Sequence, residues 1–266
     1  MTLLEQRFPP SWAESWDRVG LVVGRPEAPV RRVLAVIDVV PQTVIEALDH
    51  GADLIVAYHP LLLRPVSSVA ATTYSGRIVH DLISNNVALH VSHTNADIAA
   101  PGANDALAEA LGLVDLRPLR PALGVAAGEG RGSGRIGRLA VPMSLGEFAQ
   151  FAAVVLPVAP WGVRFAGDPA GLVRTVAVCC GSGDSFIPDA AAAGVDVYLT
   201  GDLKHHVGIA AQAGGGPALI DAGHWTTERP WLNPLADWLR ERTGAEIIVS
   251  DQCTDPFVAH VSAKND

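Results

Sequence analysis

Cysteine is nearly absent. Three in 266 residues, two of them adjacent at Cys179 and Cys180, exclude a disulfide framework. The adjacent pair reads as two small apolar side chains on a buried strand. Basic residues are also scarce, 19 Lys and Arg against 28 Asp and Glu, for a formal net charge of −9. That balance argues against a protein that grips a nucleic-acid backbone, although a nucleotide held through metal ions stays open. Charged residues make up 18% of the chain and apolar ones 49%, which leaves ample material for a packed interior and a surface suited to self-association. No basic segment followed by an apolar run opens the sequence, so no signal peptide is expected. The apolar stretch from Leu139 to Val163 is broken by Glu147, Pro157 and Pro160 and is too interrupted for a membrane span. The expectation is a cytoplasmic protein in a reducing setting, with no membrane and no nucleic-acid partner.

What the chain does contain, it contains twice. Val30-Arg31-Arg32-Val33-Leu34-Ala35-Val36 leads to Gly51-Ala52-Asp53-Leu54-Ile55-Val56, and Val173-Arg174-Thr175-Val176-Ala177-Val178 leads to Gly194-Val195-Asp196-Val197-Tyr198-Leu199. Further on, Val87-Ala88-Leu89 precedes His93 and Asp97, while Pro217-Ala218-Leu219 precedes His224 and Glu228. An internal duplication in which each half delivers a His-x3-carboxylate after a strand suggests one site built from two related halves.

The local pattern predicts strands at 33–38, 54–57 and 87–91 and helices at 41–50 and 75–85. Pro41 is a first-turn residue and Gly51 a helix stop. Residues 119–137, with Gly128-Glu129-Gly130-Arg131-Gly132-Ser133-Gly134 at their centre, lack the lysine-serine ending of a phosphate loop and read as a flexible connector. A strand at 136–141, a helix at 144–156, the repeated unit, a helix at 231–243 and a strand at 245–250 follow. The expected fold is α/β, with two related halves in three-layer arrangements of sheets and helices. The halves divide at 1–120 and 121–266, and the segment after about 229 packs back on the first. In open α/β sheets of this kind, sites lie just past strand ends.

Four segments there carry chemistry: Tyr58-His59-Pro60, His93-x3-Asp97, Gly201-Asp202-Leu203-Lys204-His205-His206 and His224-x3-Glu228. Imidazole and carboxylate together suit zinc, iron, manganese or nickel, and the residues do not choose among them. For His50, His80 and His260 an ordinary surface or satisfied role is the better reading.

Taken in order, Asp17-Arg18-Val19-Gly20-Leu21, Tyr58-His59-Pro60-Leu61, His93-Thr94-Asn95-Ala96-Asp97, Gly201-Asp202 with His206, and Asp221-Ala222-Gly223-His224 with Glu228 resemble the successive motifs of the NIF-three-like family, also called the GTP cyclohydrolase I type 2 family. The resemblance implies a dinuclear metal centre inside a toroidal homohexamer. It also implies that His59, Asp97 and Glu228 hold one metal and that His224 and the shared Glu228 hold the other, with His93 in a supporting role. The strand end usually reads His-His-Pro in that family, and Tyr58 stands where the first histidine is expected. A phenol ligates only as phenolate and has an ordinary pKa near 10. The second metal is therefore weakly held, held through Tyr58, or lost, giving one or two divalent ions per chain. Arg18 also departs, at a position where the family usually has a small polar residue.

Two functions fit. The first is a metal-dependent hydrolase acting on an unknown small molecule, a nucleotide or phosphoester, with Asp202 or His206 moving protons. The family label would add GTP, although no residue here shows guanine recognition. The second is a ring-shaped metal-binding regulatory or scaffold protein without catalysis.

Overall fold

The computed structural model describes residues 2–158 and 160–261. In chain order its elements are α1 (Thr2–Arg7), β1 (Gly20–Val23), β2 (Arg32–Val36), α2 (Pro41–Asp49), β3 (Leu54–Ala57), α3 (Tyr74–Ser84), β4 (Ala88–Val91), α4 (Thr94–Ile98) and α5 (Ala103–Ala110). They continue as β5 (Leu113–Pro121), β6 (Gly132–Ser144), α6 (Leu145–Val155), β7 (Arg164–Ala166), β8 (Leu172–Ser182), α7 (Ile187–Ala192), β9 (Val197–Gly201), α8 (His205–Ala213), β10 (Ala218–Asp221), α9 (His224–Glu228), α10 (Leu232–Arg242) and β11 (Glu246–Val249). The chain forms two compact units, Met1–Ala99 with Leu232–Thr254, and Ala100–Trp231 with Asp255–Asp266.

The first unit carries a five-stranded sheet in the order β1-β4-β3-β2-β11. Its strands β11, β2, β3 and β4 are parallel, and β1 closes the edge antiparallel to β4. Strands β2 and β3 are almost wholly buried Val, Leu, Ile and Ala, the composition expected of parallel strands covered on both faces. Leu34, Val36, Ile55, Ala57, Leu89 and Val91 pack with Val44 and Ala47 of α2 and Ile78 and Leu82 of α3. Pro41 opens α2 where its missing N–H is harmless, and Gly51 takes the left-handed φ of +62° just past the end.

The second unit carries a six-stranded sheet in the order β5-β6-β8-β9-β10-β7. Strands β8, β9 and β10 are parallel, and β7 closes the edge antiparallel to β10. Its core gathers Ile136, Ala177, Ala190, Val195, Tyr198 and Leu219. Cys179 and Cys180 lie buried on β8, and Cys253 is exposed.

The duplication extends further than the repeated strands. The order β1-β2-α2-β3-α3-β4-α4 is matched by β7-β8-α7-β9-α8-β10-α9, with the same parallel trio and the same antiparallel edge strand. Even a loop contact is repeated. The Asp53 carboxylate accepts from the backbone N–H groups of Arg31 and Arg32 at 2.7 and 3.0 Å, and that of Asp196 accepts from Arg174 and Thr175 at 2.8 and 2.7 Å.

The glycine-rich stretch is not a flexible connector. It is the end of a paired hairpin, with Arg117 opposite Ile136, Arg120 opposite Ser133 and Pro121 opposite Gly132. Glycine is needed there for space, since a Cβ at Gly132 would stand 2.2 Å from the Arg120 carbonyl oxygen. The hairpin also inserts a charge into the core. Arg135 is 1% exposed and forms a two-pronged pair with Asp105 of α5 at 2.6 Å on each arm. Among the described residues no helix is long and apolar enough to cross a membrane.

Candidate metal centre

Both units place their polar residues just past the C-terminal ends of parallel strands. In the first unit the chain leaves β3 with the Tyr58 and His59 N–H groups donating to the Val36 and Ile37 carbonyls at 3.0 and 2.9 Å, which fixes the backbone beneath both side chains. His59 Nδ1 lies 2.8 Å from Asp38 Oδ1, at the end of β2. Thr254 donates in turn to the other oxygen of Asp38. The second ring nitrogen, Nε2, is thereby the one directed away from this support.

The Tyr58 ring is buried, and its hydroxyl donates to Asp97 Oδ1 at 2.5 Å. Asp97 sits on the short helix α4, whose start is fixed by the His93 carbonyl accepting from Ala96 and Asp97 N–H. His93 Nδ1 lies 2.9 Å from Asp17 Oδ1, and the other oxygen of Asp17 accepts from the Thr94 hydroxyl at 2.5 Å and its N–H at 3.1 Å. Burial alone would raise the Asp17 pKa, but the hydrogen bonds and charge of His93 and the bonds from Thr94 pull it down to about 2. Rings of Tyr58, His59 and His93 pack edge to face, with centroids 5.3–5.4 Å apart. Arg18, the residue that departs from the family pattern, folds onto its own turn and donates to the Asp17 carbonyl at 2.5 Å.

The second unit repeats the device. His224 opens α9, and its Nδ1 lies 2.7 Å from Asp202 Oδ2. Its Nε2 lies 2.9 Å from Glu228 Oε1, four residues on. Asp202 reaches this position from a left-handed backbone, φ +57°, directly after β9, a conformation that costs about 1 kcal/mol and that aspartate tolerates better than most residues. Asp221 at the end of β10 accepts from Gly223 N–H at 3.2 Å and Leu203 N–H at 3.0 Å and pairs with Arg164 at 2.6 Å. Both loops that carry Asp202 and His224 are thus tied to one carboxylate.

Gly181 faces the Nε2 side of His224. A Cβ there would stand 2.4 Å from Glu228 Oε1 and 3.0 Å from His224 Nε2, and φ is +62°. Its N–H donates to Thr227 Oγ1 and its carbonyl accepts from Thr200 Oγ1, both at 2.9 Å. The backbone is therefore held where only glycine leaves room in front of the two donors.

These residues fit a cation. Burial alone would lower the His224 pKa, but the charge of Glu228 and the hydrogen bond to Asp202 hold it up to about 11. Two carboxylates flanking one ring create a position that demands positive charge. A histidine whose Nδ1 is fixed by a carboxylate is the usual arrangement of a metal ligand and its support.

The structure distributes the sequence-predicted residues as follows. Tyr58, His59, His93 and Asp97 cluster in the first unit, and Asp202, His224 and Glu228 in the second. His206 lies exposed on α8, its ring 5.2 Å from that of His205. Sequence reasoning missed Asp38 and Asp17 as partners of His59 and His93. Each had a signal: Asp38 ends a strand of the repeated unit, and Asp17 opens one of the quoted motifs.

Comparison with known proteins agrees. The chain is 50% identical to a protein of Streptomyces coelicolor named GTP cyclohydrolase 1 type 2 homolog, over 99% of this chain and 94% of that one. It is 31% identical to NIF3-like protein 1 of Drosophila melanogaster, over 98% of this chain and 88% of that protein. Among solved structures, a Bacillus cereus protein related to NIF3 superimposes with a TM-score of 0.89 at 28% identity, covering 96% of each chain. With the Duf34/NIF3 (NGG1p interacting factor 3) family model matched across residues 1–256, the chain belongs to that family.

Proposed function

We propose that this protein binds a divalent transition metal through His59, Asp97, His224 and Glu228 and uses it as a hydrolase acting on a nucleotide or another phosphoester. The observation that carries the reading is the paired support, Asp38 on Nδ1 of His59 and Asp202 on Nδ1 of His224, with His224 Nε2 turned toward Glu228. Mixed imidazole and carboxylate donors suit zinc, iron, manganese or nickel. A bound ion would supply a Lewis acid that polarises a phosphoryl or carbonyl oxygen.

The protein's own groups then have separable tasks. The hydrogen bond from His224 holds the Asp202 carboxyl below the usual range, so Asp202 is ionised at neutral pH and orients the ring. His206, exposed at the start of α8, is the second residue this reading assigns to moving protons. The relatives' name points to a nucleotide, and six chains in a ring are the assembly this reading expects. Valines at 141, 154 and 158 stand open on the surface, which suits self-association.

A second reading, a ring-shaped metal-binding regulatory protein without catalysis, draws on Tyr58 at the place of an expected histidine. Metal analysis of purified protein, followed by a panel of phosphoesters and nucleotides, separates the two. Metal-dependent turnover abolished by Glu228→Gln supports the hydrolase. Stoichiometric metal without turnover supports the regulatory reading, and absence of stoichiometric metal overturns both.

A further inference from the structure

We propose that Tyr58 is a positioning residue that fastens Asp97 by hydrogen bonding and is not itself a metal ligand, so that this chain binds one metal ion. The inference rests on the metal reading above and decides between its mononuclear and dinuclear forms.

The geometry is local to one unit. Tyr58 is 1% exposed, and its backbone is pinned to Val36 at the start of the loop. Rings of His59 and His93 stand edge-on to its own at 65° and 88°. A ring wedged in this way presents its hydroxyl in one direction, and there it donates to Asp97 Oδ1 at 2.5 Å. The Asp97 backbone is held in place by its N–H donating to the His93 carbonyl at 3.1 Å.

For Tyr58 to ligate a metal, its oxygen would have to give up this bond. Asp97 would then lose the donor that orients it. Left as it is, the pair gives a carboxylate with one oxygen held by the phenol. Ligating carboxylates are commonly held in this way by a hydrogen-bonding neighbour. The phenol therefore supports one metal while denying the second the nitrogen that a histidine at position 58 would offer.

The test uses the full-length protein loaded with metal, dialysed, and assayed for metal per chain and for its visible spectrum with ferric ion. A phenolate bound to ferric ion gives a strong visible charge-transfer band, and a hydrogen-bonded phenol gives none. The expected result is one ion per chain and no such band in the parent. Tyr58→Phe should keep one ion with about 10- to 100-fold weaker affinity, and Tyr58→His should bind two. A charge-transfer band in the parent that disappears in Tyr58→Phe, or two ions in the parent, overturns the inference and leaves the metal reading intact. A parent without stoichiometric metal overturns both. Because the parent's own spectrum and stoichiometry decide the matter, the result does not depend on either variant folding.

Discussion

Gly181 stands where any side chain would strike Glu228, a Cβ there lying 2.4 Å from the carboxylate Oε1. Gly181 follows the buried run 176–180 of β8 and takes a left-handed φ of +62°. The approach to the donors and this backbone both call for glycine there.

Gly181→Ala should therefore lower metal content sharply while the protein remains folded. The left-handed φ of +62° adds a stability cost of about 1–2 kcal/mol. Metal analysis beside a thermal melt checks this. A folded alanine variant with undiminished metal would show that the donors do not use this space.

The supporting carboxylates should matter almost as much as the ligands. Asp38→Ala frees His59 Nδ1, and Asp202→Ala frees that of His224. Each change should weaken metal affinity by about 10- to 100-fold with little effect on folding. Competition against a chromogenic chelator measures it, and unchanged affinity in both variants would remove the argument from paired support.

Much of the fold was readable because hydrophobic runs and glycine stops are local signals. The strands predicted at 33–38 and 54–57, the helix opened by Pro41 and the repeated His-x3-carboxylate all follow from neighbouring residues, although the first strand ends at Val36. What escaped depended on long-range contact. Asp38 finds His59 across 21 residues and Asp17 finds His93 across 76, and no spacing rule joins them. The hairpin at 113–144 was hidden because its glycines, read as flexibility, serve close approach of two strands. Arg135, polar in sequence, is buried through its pair with Asp105.

That pair gives a prediction of stability. Asp105→Ala leaves the Arg135 guanidinium in the core without its carboxylate and should cost about 3–5 kcal/mol in urea unfolding. A loss below about 1 kcal/mol would mean the arginine finds water or another partner.

Acid should destabilise the protein in two windows. Burial depresses the His90 pKa from 6.5 to about 4, so between these values the unfolded chain binds a proton that the folded one refuses. Stability present above pH 6.5 is then lost as pH falls toward 4, on the order of 3 kcal/mol. Asp17, depressed from 3.8 to about 2, contributes a further loss of about 2 kcal/mol as pH falls between those values. His90→Leu should flatten the upper window and leave the lower one in place, as urea midpoints across pH would show. An unchanged upper slope in that variant would assign the titration elsewhere.

The most direct measurement is anomalous X-ray diffraction from crystals of the parent grown with a saturating divalent metal. The account predicts a peak bonded to His59 Nε2, His224 Nε2, Asp97 and Glu228 at about 2.0–2.2 Å, with the Tyr58 hydroxyl still on Asp97. Density lacking a peak at these donors, or a metal bound only elsewhere on the chain, would contradict it.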